Sequence, residues 1–227
     1  MKAVKDIMGT CSNHGISGSN LMHNKIPKSG LCNTNTFALV TLKAFEEILG
    51  KNGVNAMLRQ AGLAHLIDNY PPHNRDKAFD FADYSSLMGT LDDLYGERGG
   101  RVLGLRAGRR TFNELLSTYG GMVGVSDLAL RFIPLGMKLK IGINAMAKVF
   151  NMVSDQETLV EETSKEFFYI VKKCPICWGR AGGTKPVCHS QIGLLKEGLH
   201  WATSGKEFDV QETDCRVMGK DTCTLVV

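Results

Sequence analysis

Cysteines and one glutamate near the end of the chain form the pattern with the clearest chemistry. Five of the seven cysteines fall in the final quarter, within CPICWGRAGGTKPVCHS and VQETDCRVMGKDTCTLVV. A tight turn between two predicted strands would bring the sulfurs of Cys215 and Cys223 to one end of a hairpin. Glu212 lies three positions before Cys215, and Cys188 begins a predicted helix upstream. Zinc favours four tetrahedral ligands, so these four residues predict a structural zinc site without an open position.

A second set of donors competes for the same metal. Cys174 and Cys177 form a CxxC pair, which with Cys188 would make a zinc knuckle that His189 could join. A CxxC pair also serves redox chemistry, but no strand–CxxC–helix context of the thioredoxin kind surrounds this one. Alternatively, Cys174 and Cys177 are small buried apolar side chains. The sequence leaves these interpretations open.

The order of the predicted elements indicates an α+β fold, with N-terminal helices followed by a small antiparallel sheet packed with helices. Gly50 and Gly96 are expected to end helices, and Pro134 and Gly136 to break or kink a long apolar one. The predicted helices are 36–49, 55–67, 84–95, 101–119, 126–153 and 187–203. The predicted strands are 158–163, 166–173, 207–215 and 222–227.

Length and composition are those of a globular protein with one large domain. Residues 1–33 are rich in Gly, Ser, Asn and His and predict a loosely ordered N-terminal extension, whereas 34–227 form a single domain. The net charge of +4 forms no basic block, so we expect no nucleic-acid partner. No apolar run reaches about 18 residues, which predicts no transmembrane segment and a cytoplasmic location. In a reducing compartment, clustered cysteines favour metal binding over disulfides.

The C-terminal segment PVCHSQIGLLKEGLHWATSGKEFDVQETDCRVMGKDTCTLVV resembles the 4-vinyl reductase domain family and its hydrocarbon-binding protein subgroup. The resemblance lies in Cys188, the following helix, and a Glu-x-x-Cys-x-x-x-Gly-x-x-x-Cys pattern formed by Glu212, Cys215, Gly219 and Cys223. Upstream segments extend it over roughly 36–227. The same pattern is similar to sensor domains of phenol-responsive bacterial activators, where three cysteines and one glutamate hold zinc. That resemblance implies the ligands Cys188, Glu212, Cys215 and Cys223.

The resemblance also implies a fold shared with nitric-oxide-signalling and Golgi-transport ligand-binding domains. Members bind hydrophobic or aromatic molecules in an internal cavity and form homodimers through N-terminal helices. We therefore expect a zinc-containing, non-catalytic binding protein, because no dinucleotide fingerprint indicates a source of hydride. The helices at 36–67, with apolar residues on more than one side, are the expected dimer elements. Aromatic residues that could line the pocket are Phe112, Phe132, Phe150, Trp178 and Trp201.

Two alternatives remain at this stage. The chain could be an accessory factor or subunit of a vinyl-group reductase in tetrapyrrole metabolism, or a dimeric protein-interaction scaffold. An acid/base site for the former would come from His65, Asp68, His73 and Asp83, which flank a predicted loop. The sequence does not name the ligand.

Overall fold

The computed structural model describes residues 26–119 and 133–227. This part of the chain contains four α-helices and six short strands. The helices are α1 (Asn35–Gln60), α2 (Phe81–Tyr119), α3 (Leu135–Val153) and α4 (His189–Ala202). The strands are β1 (Cys32–Thr34), β2 (Lys77–Asp80), β3 (Thr158–Glu162), β4 (Phe167–Val171), β5 (Gln211–Asp214) and β6 (Cys223–Val226). The predicted α+β class is confirmed.

Each of the two long helices bends at a glycine. Gly50 in α1 has φ 70° and ψ 167°, and Gly96 in α2 has φ 69° and ψ 164°. Such angles are essentially restricted to glycine, so each residue interrupts the helix where a side chain would be strained. The predicted ends at Gly50 and Gly96 therefore appear as kinks within continuous elements. Thr34 caps α1 by accepting a hydrogen bond from the amide of Phe37 at 3.3 Å.

Two antiparallel sheets support the helices. β1 pairs with β2, and a larger sheet has the order β3-β4-β6-β5. β6 pairs with both β4 and β5, so Cys223 lies opposite Val171 while Leu225 lies opposite Glu212. This central position of β6 brings the loop after β4 and the end of β5 to the same end of the sheet.

α2 and α4 cross with their backbones almost in contact. A Cβ atom on Gly108 would lie 2.0 Å from the carbonyl oxygen of Ser190, and one on Gly193 would lie 2.2 Å from that of Leu105. No side chain fits at either position. The two glycines therefore allow α4 to pack this closely against α2. This packing positions Cys188 at the start of α4.

One hydrophobic core joins the helices to the sheet. Near its centre the rings of Phe37 and Tyr84 lie 5.5 Å apart, and those of Phe37 and Phe150 lie 5.9 Å apart in an edge-on arrangement. In this way α1, α2 and α3 share one aromatic cluster. Among the described residues, no helix combines the length and apolar character needed to cross a bilayer.

Residues 26–33 of the predicted extension contact the domain. Asp80 accepts hydrogen bonds from the amides of Ser29 and Gly30, at 3.1 and 3.0 Å, and its Oδ1 also caps the start of α2 through the amide of Ala82. The predicted boundary between 33 and 34 falls inside β1. Residues 1–25 lie outside the described part of the chain.

Candidate metal centre and apolar cavity

Four elements converge on a buried cluster of sulfur atoms. Cys188 immediately precedes α4, Cys215 follows β5, and Cys223 begins β6. The loop after β4 adds Cys174 and Cys177, which precede α4 along the chain. All five thiols are buried. The sheet register explains the meeting point, because Cys223 lies beside Val171, three residues before Cys174.

The four residues that the sequence singled out lie together. The sulfurs of Cys188, Cys215 and Cys223 are 3.7 to 4.0 Å apart, and Glu212 completes a set of four donors within 4.8 Å of one another. With zinc–sulfur bonds of about 2.3 Å, a tetrahedral site has sulfur–sulfur edges of roughly 3.8 Å. The three sulfur distances match that edge, so this donor set fits a zinc ion.

Glu212 is held in a position suited to a ligand. Its Oε2 accepts a hydrogen bond of 2.8 Å from the amide of Cys188, while its Oε1 is buried without a hydrogen-bond partner in the described residues. A buried, unpartnered carboxylate oxygen is costly unless a cation or donor reaches it. Burial, together with the charge of Cys215, raises the pKa of Glu212 to about 9.

The rival set of donors is also present. Cys174, Cys177, Cys188 and Cys223 form a second group with all four sulfurs within 4.8 Å. The sulfurs of Cys174 and Cys188 are 3.5 Å apart, and those of Cys177 and Cys223 are 3.4 Å apart. Both groups share Cys188 and Cys223. His189, the further candidate from the sequence, belongs to neither group.

Because the thiols of the cluster lie so close together, their pKa values are shifted in different directions. Hydrogen bonds from Cys177, Cys188 and Cys223 hold the pKa of Cys174 well below its usual range. The same network, beginning with Cys174, raises the pKa of Cys188. A divalent cation would remove this conflict, because metal binding deprotonates the thiols that coordinate it.

A cavity lined by apolar side chains lies between α2, α3 and α4. The cavity has a volume of about 60 Å³. One water needs roughly 10–15 Å³ of such a volume, so the cavity has room for a small molecule. The lining residues are Phe112, Leu115, Leu116, Tyr119, Gly142, Ala145, Met146, Val149, Phe150, Gly198, Trp201 and Ala202.

Three of the five predicted pocket aromatics line this cavity, namely Phe112, Phe150 and Trp201. Trp178 does not. Its ring packs edge-on against Phe81 at 6.0 Å and lies under the guanidinium of Arg216. Phe132 lies outside the described residues. The described part of the long apolar segment, α3, supplies five lining residues. Small residues of the wall, such as Gly142 and Gly198, were missed because an apolar pattern does not separate a cavity wall from a packed core.

The acid/base candidates do not converge on the cavity. Asp68 pairs with Lys51 at 2.5 Å, and Asp83 pairs with Lys28. None of His65, Asp68, His73 and Asp83 lines the cavity. No acid/base site is formed there by these side chains.

Two neighbouring arginines of α2, Arg109 and Arg110, form ion pairs within the chain. Arg109 pairs with Glu197 at 2.9 Å and with Glu207 at 2.7 Å. Arg110 pairs with Glu47 at 2.5 Å. These contacts tie α2 to α1, to α4 and to the segment after α4.

Comparison with known proteins identifies the segment that carries the donors. Residues 167–227 match the V4R domain. This match spans β4 to β6 and contains every cysteine and glutamate of the cluster, so the resemblance drawn from the sequence is confirmed there. No curated protein matches the chain.

Solved structures show a shared fold over most of the chain. The structure of an unliganded Fe(II) H-NOX protein from K. algicida is 15% identical, with a TM-score of 0.54, and the alignment covers 85% of this chain and 94% of that one. A Tt H-NOX variant is 14% identical, with a TM-score of 0.53 and coverages of 85% and 92%. At this identity the likeness establishes the fold alone, and it confirms the predicted fold as that of H-NOX domains.

Proposed function

We propose that this chain is a zinc-containing protein that binds a small hydrophobic or aromatic molecule without converting it. The observation that carries the proposal is the cavity between α2, α3 and α4, which is walled by aliphatic and aromatic side chains. Binding there would remove apolar ligand surface from water, at about 25 cal/mol per Å². Among the described side chains of the wall, Tyr119 supplies the one hydroxyl.

The zinc ion has a structural role in this proposal, with Cys188, Glu212, Cys215 and Cys223 as its ligands. Four protein ligands leave no position for an activated water or a substrate. When bound, the ion would hold the start of α4 against β5 and β6. The other end of α4 supplies Gly198, Trp201 and Ala202 to the cavity wall, so fixing the helix also fixes that wall. A cytoplasmic location is part of this proposal, since reducing conditions there would keep the clustered thiols free to bind a metal.

Tryptophan fluorescence offers a direct test. The chain has two tryptophans, and only Trp201 lines the cavity. In a Trp178→Phe background, the signal of Trp201 should change saturably when phenols, fatty acids or vinyl-bearing tetrapyrroles occupy the cavity. Incubation with the same compounds and NADPH should leave them chemically unchanged.

A matched pair of variants locates the binding. Ala145→Phe places a ring at the cavity wall and should weaken binding of the best compound at least tenfold. Lys148→Phe places the same ring at an exposed position of the same helix and should leave the affinity unchanged. Equal effects of the two variants, or no binding by any compound, would refute the cavity as the site. Conversion of a compound by the purified protein would refute the non-catalytic role.

A further inference from the structure

The two candidate ligand sets overlap in a specific way. The described residues contain five cysteines and one glutamate that form two groups of four, and each group contains both Cys188 and Cys223. We propose that these six side chains form a binuclear metal centre, in which the thiolates of Cys188 and Cys223 bridge two divalent ions. This inference rests on the zinc site of the proposed function and adds a second ion to it.

The number of donors matches two tetrahedral ions. One ion takes Glu212 and Cys215 as its own ligands, and the other takes Cys174 and Cys177. A bridging thiolate serves two ions at once, so two bridges and four terminal donors give each ion four ligands. Four is the number that zinc takes in structural sites. No donor of the cluster is left over, and neither ion needs a ligand from outside the chain.

The sulfur positions agree with this division. The bridging pair, Cys188 and Cys223, is 3.7 Å apart, close to the tetrahedral edge of roughly 3.8 Å. Cys174 lies 3.5 Å from Cys188, and Cys177 lies 3.4 Å from Cys223. Each terminal cysteine of the second ion is therefore within reach of a different bridge, as expected if both bridges contribute to its coordination.

Charge favours a second ion in so buried a place. Five thiolates and one carboxylate carry six negative charges. A single divalent ion would leave a large excess of negative charge, unless several thiols kept their protons. Two ions leave a net charge of minus two, the same as for a single ion with three thiolates and Glu212. The N-terminus of α4, beside Cys188, adds the positive end of a helix dipole.

A second ion would extend what the metal holds together. The terminal ligands Glu212 and Cys215 belong to β5 and its end, whereas Cys174 and Cys177 belong to the loop between β4 and α4. The first ion alone anchors α4 to the β5–β6 hairpin. The second ion would fasten that loop to the same point, close to where Trp178 packs on Phe81 at the start of α2.

Titration with cobalt(II) can count the bound ions and distinguish the two positions. The full chain, freed of metal by a chelator under anaerobic reducing conditions, is titrated with Co²⁺ while native mass spectrometry records the ions bound. We expect two ions per chain. The electron paramagnetic resonance signal per cobalt should fall as the second ion binds, because thiolate bridges couple the two spins.

Variants of the terminal ligands distinguish the two proposed metal positions. Cys174→Ser combined with Cys177→Ser should bind one cobalt ion, without spin coupling, whereas Ile176→Val in the same loop should still bind two. Cys215→Ser should likewise lose one ion. Circular dichroism of each variant establishes that it is folded before the ions are counted.

The outcomes of these measurements distinguish a binuclear centre from a single zinc site. One ion per chain, unchanged by the Cys174 and Cys177 substitutions and lost in Cys215→Ser, would overturn the binuclear centre and leave the single zinc site intact. Two ions without spin coupling would overturn the bridges. No bound ion would overturn both metal proposals, while the fluorescence of Trp201 tests ligand binding separately.

Discussion

The amide of Cys188 donates a hydrogen bond of 2.8 Å to Oε2 of Glu212, although α4 and the loop that follows it separate the two residues along the chain. This bond turns the carboxylate so that Oε1 is buried without a partner among the described residues. The chain thus orients Glu212 through the backbone of Cys188, as a supporting hydrogen bond would position a metal ligand.

Replacing Glu212 with glutamine should weaken zinc binding. Gln keeps an oxygen that can accept the bond from Cys188 but loses the negative charge, so we expect an affinity at least tenfold lower in competition with a chromophoric chelator. Asp214→Asn is the matched control, because Asp214 lies two residues further along the chain, half-exposed, and pairs with Lys220 at 3.4 Å. Equal affinities for the two variants would contradict the assignment of Glu212 as a ligand.

Zinc affinity should fall as the pH is lowered. The bound form holds its ligands deprotonated, whereas the metal-free cluster holds protons, with the pKa of Glu212 raised to about 9 by burial. Binding near neutral pH therefore releases protons, and lowering the pH drives the reaction backwards. Calorimetry in buffers of different ionisation enthalpy should show about one proton fewer released by Glu212→Gln. An affinity that is constant between about pH 8 and pH 6 would rule out thiolate ligation.

The convergence of Cys188, Glu212, Cys215 and Cys223 could be predicted from the sequence because chemistry and spacing coincide there. Cys215 and Cys223 flank a short turn between paired strands, and the helix that Cys188 precedes is readable from its apolar pattern. That Cys174 and Cys177 also join the cluster could not be decided in the same way. Their position depends on the pairing of β4 with the central strand β6, and sheet order is a long-range property that local spacing does not contain.

Helix ends were predictable only as far as local sequence controls them. Gly50 and Gly96 do interrupt helices, as their lack of a side chain suggests, but the chain continues as a helix beyond each kink. Whether a glycine stops or bends a helix depends on what packs against the following turn. The contacts of Gly108 and Gly193 are likewise tertiary, because a close helix crossing leaves no local signal beyond the glycine itself.

Gly193→Ala should destabilise the fold by about 1–3 kcal/mol, measured by urea denaturation. The new Cβ would lie 2.2 Å from the carbonyl oxygen of Leu105, so α4 would have to move away from α2. Gly136→Ala is the control, since Gly136 lies in the first turn of α3 and its Cβ would meet no atom within 4 Å. That change should be neutral or slightly stabilising, because alanine favours a helix over glycine. A comparable loss in both variants would contradict a tight crossing of α2 and α4.

Homodimer formation remains a prediction, and the structure changes where its interface is expected. Phe37, Leu42 and Phe45 of α1 are buried within one chain, so their apolar character requires no partner. Three of the exposed large apolar side chains lie on α2 around its kink, where Leu94, Tyr95 and Val102 are 41%, 38% and 54% exposed, and the others among the described residues lie on α3 and β3. Tyr95 lies beside Gly53, so this surface continues onto the second half of α1.

Sedimentation of the full chain at micromolar concentration should therefore show a dimer, and Val102→Glu should shift it towards monomer by placing a charge in an apolar contact. Leu159→Glu is the matched control, because Leu159 is 44% exposed on β3, the edge strand of the four-stranded sheet. It should leave the dimer intact. A monomeric parent protein would refute dimer formation, while a dimer that tolerates Val102→Glu but not Leu159→Glu would place the interface on the sheet edge instead of on α1 and α2.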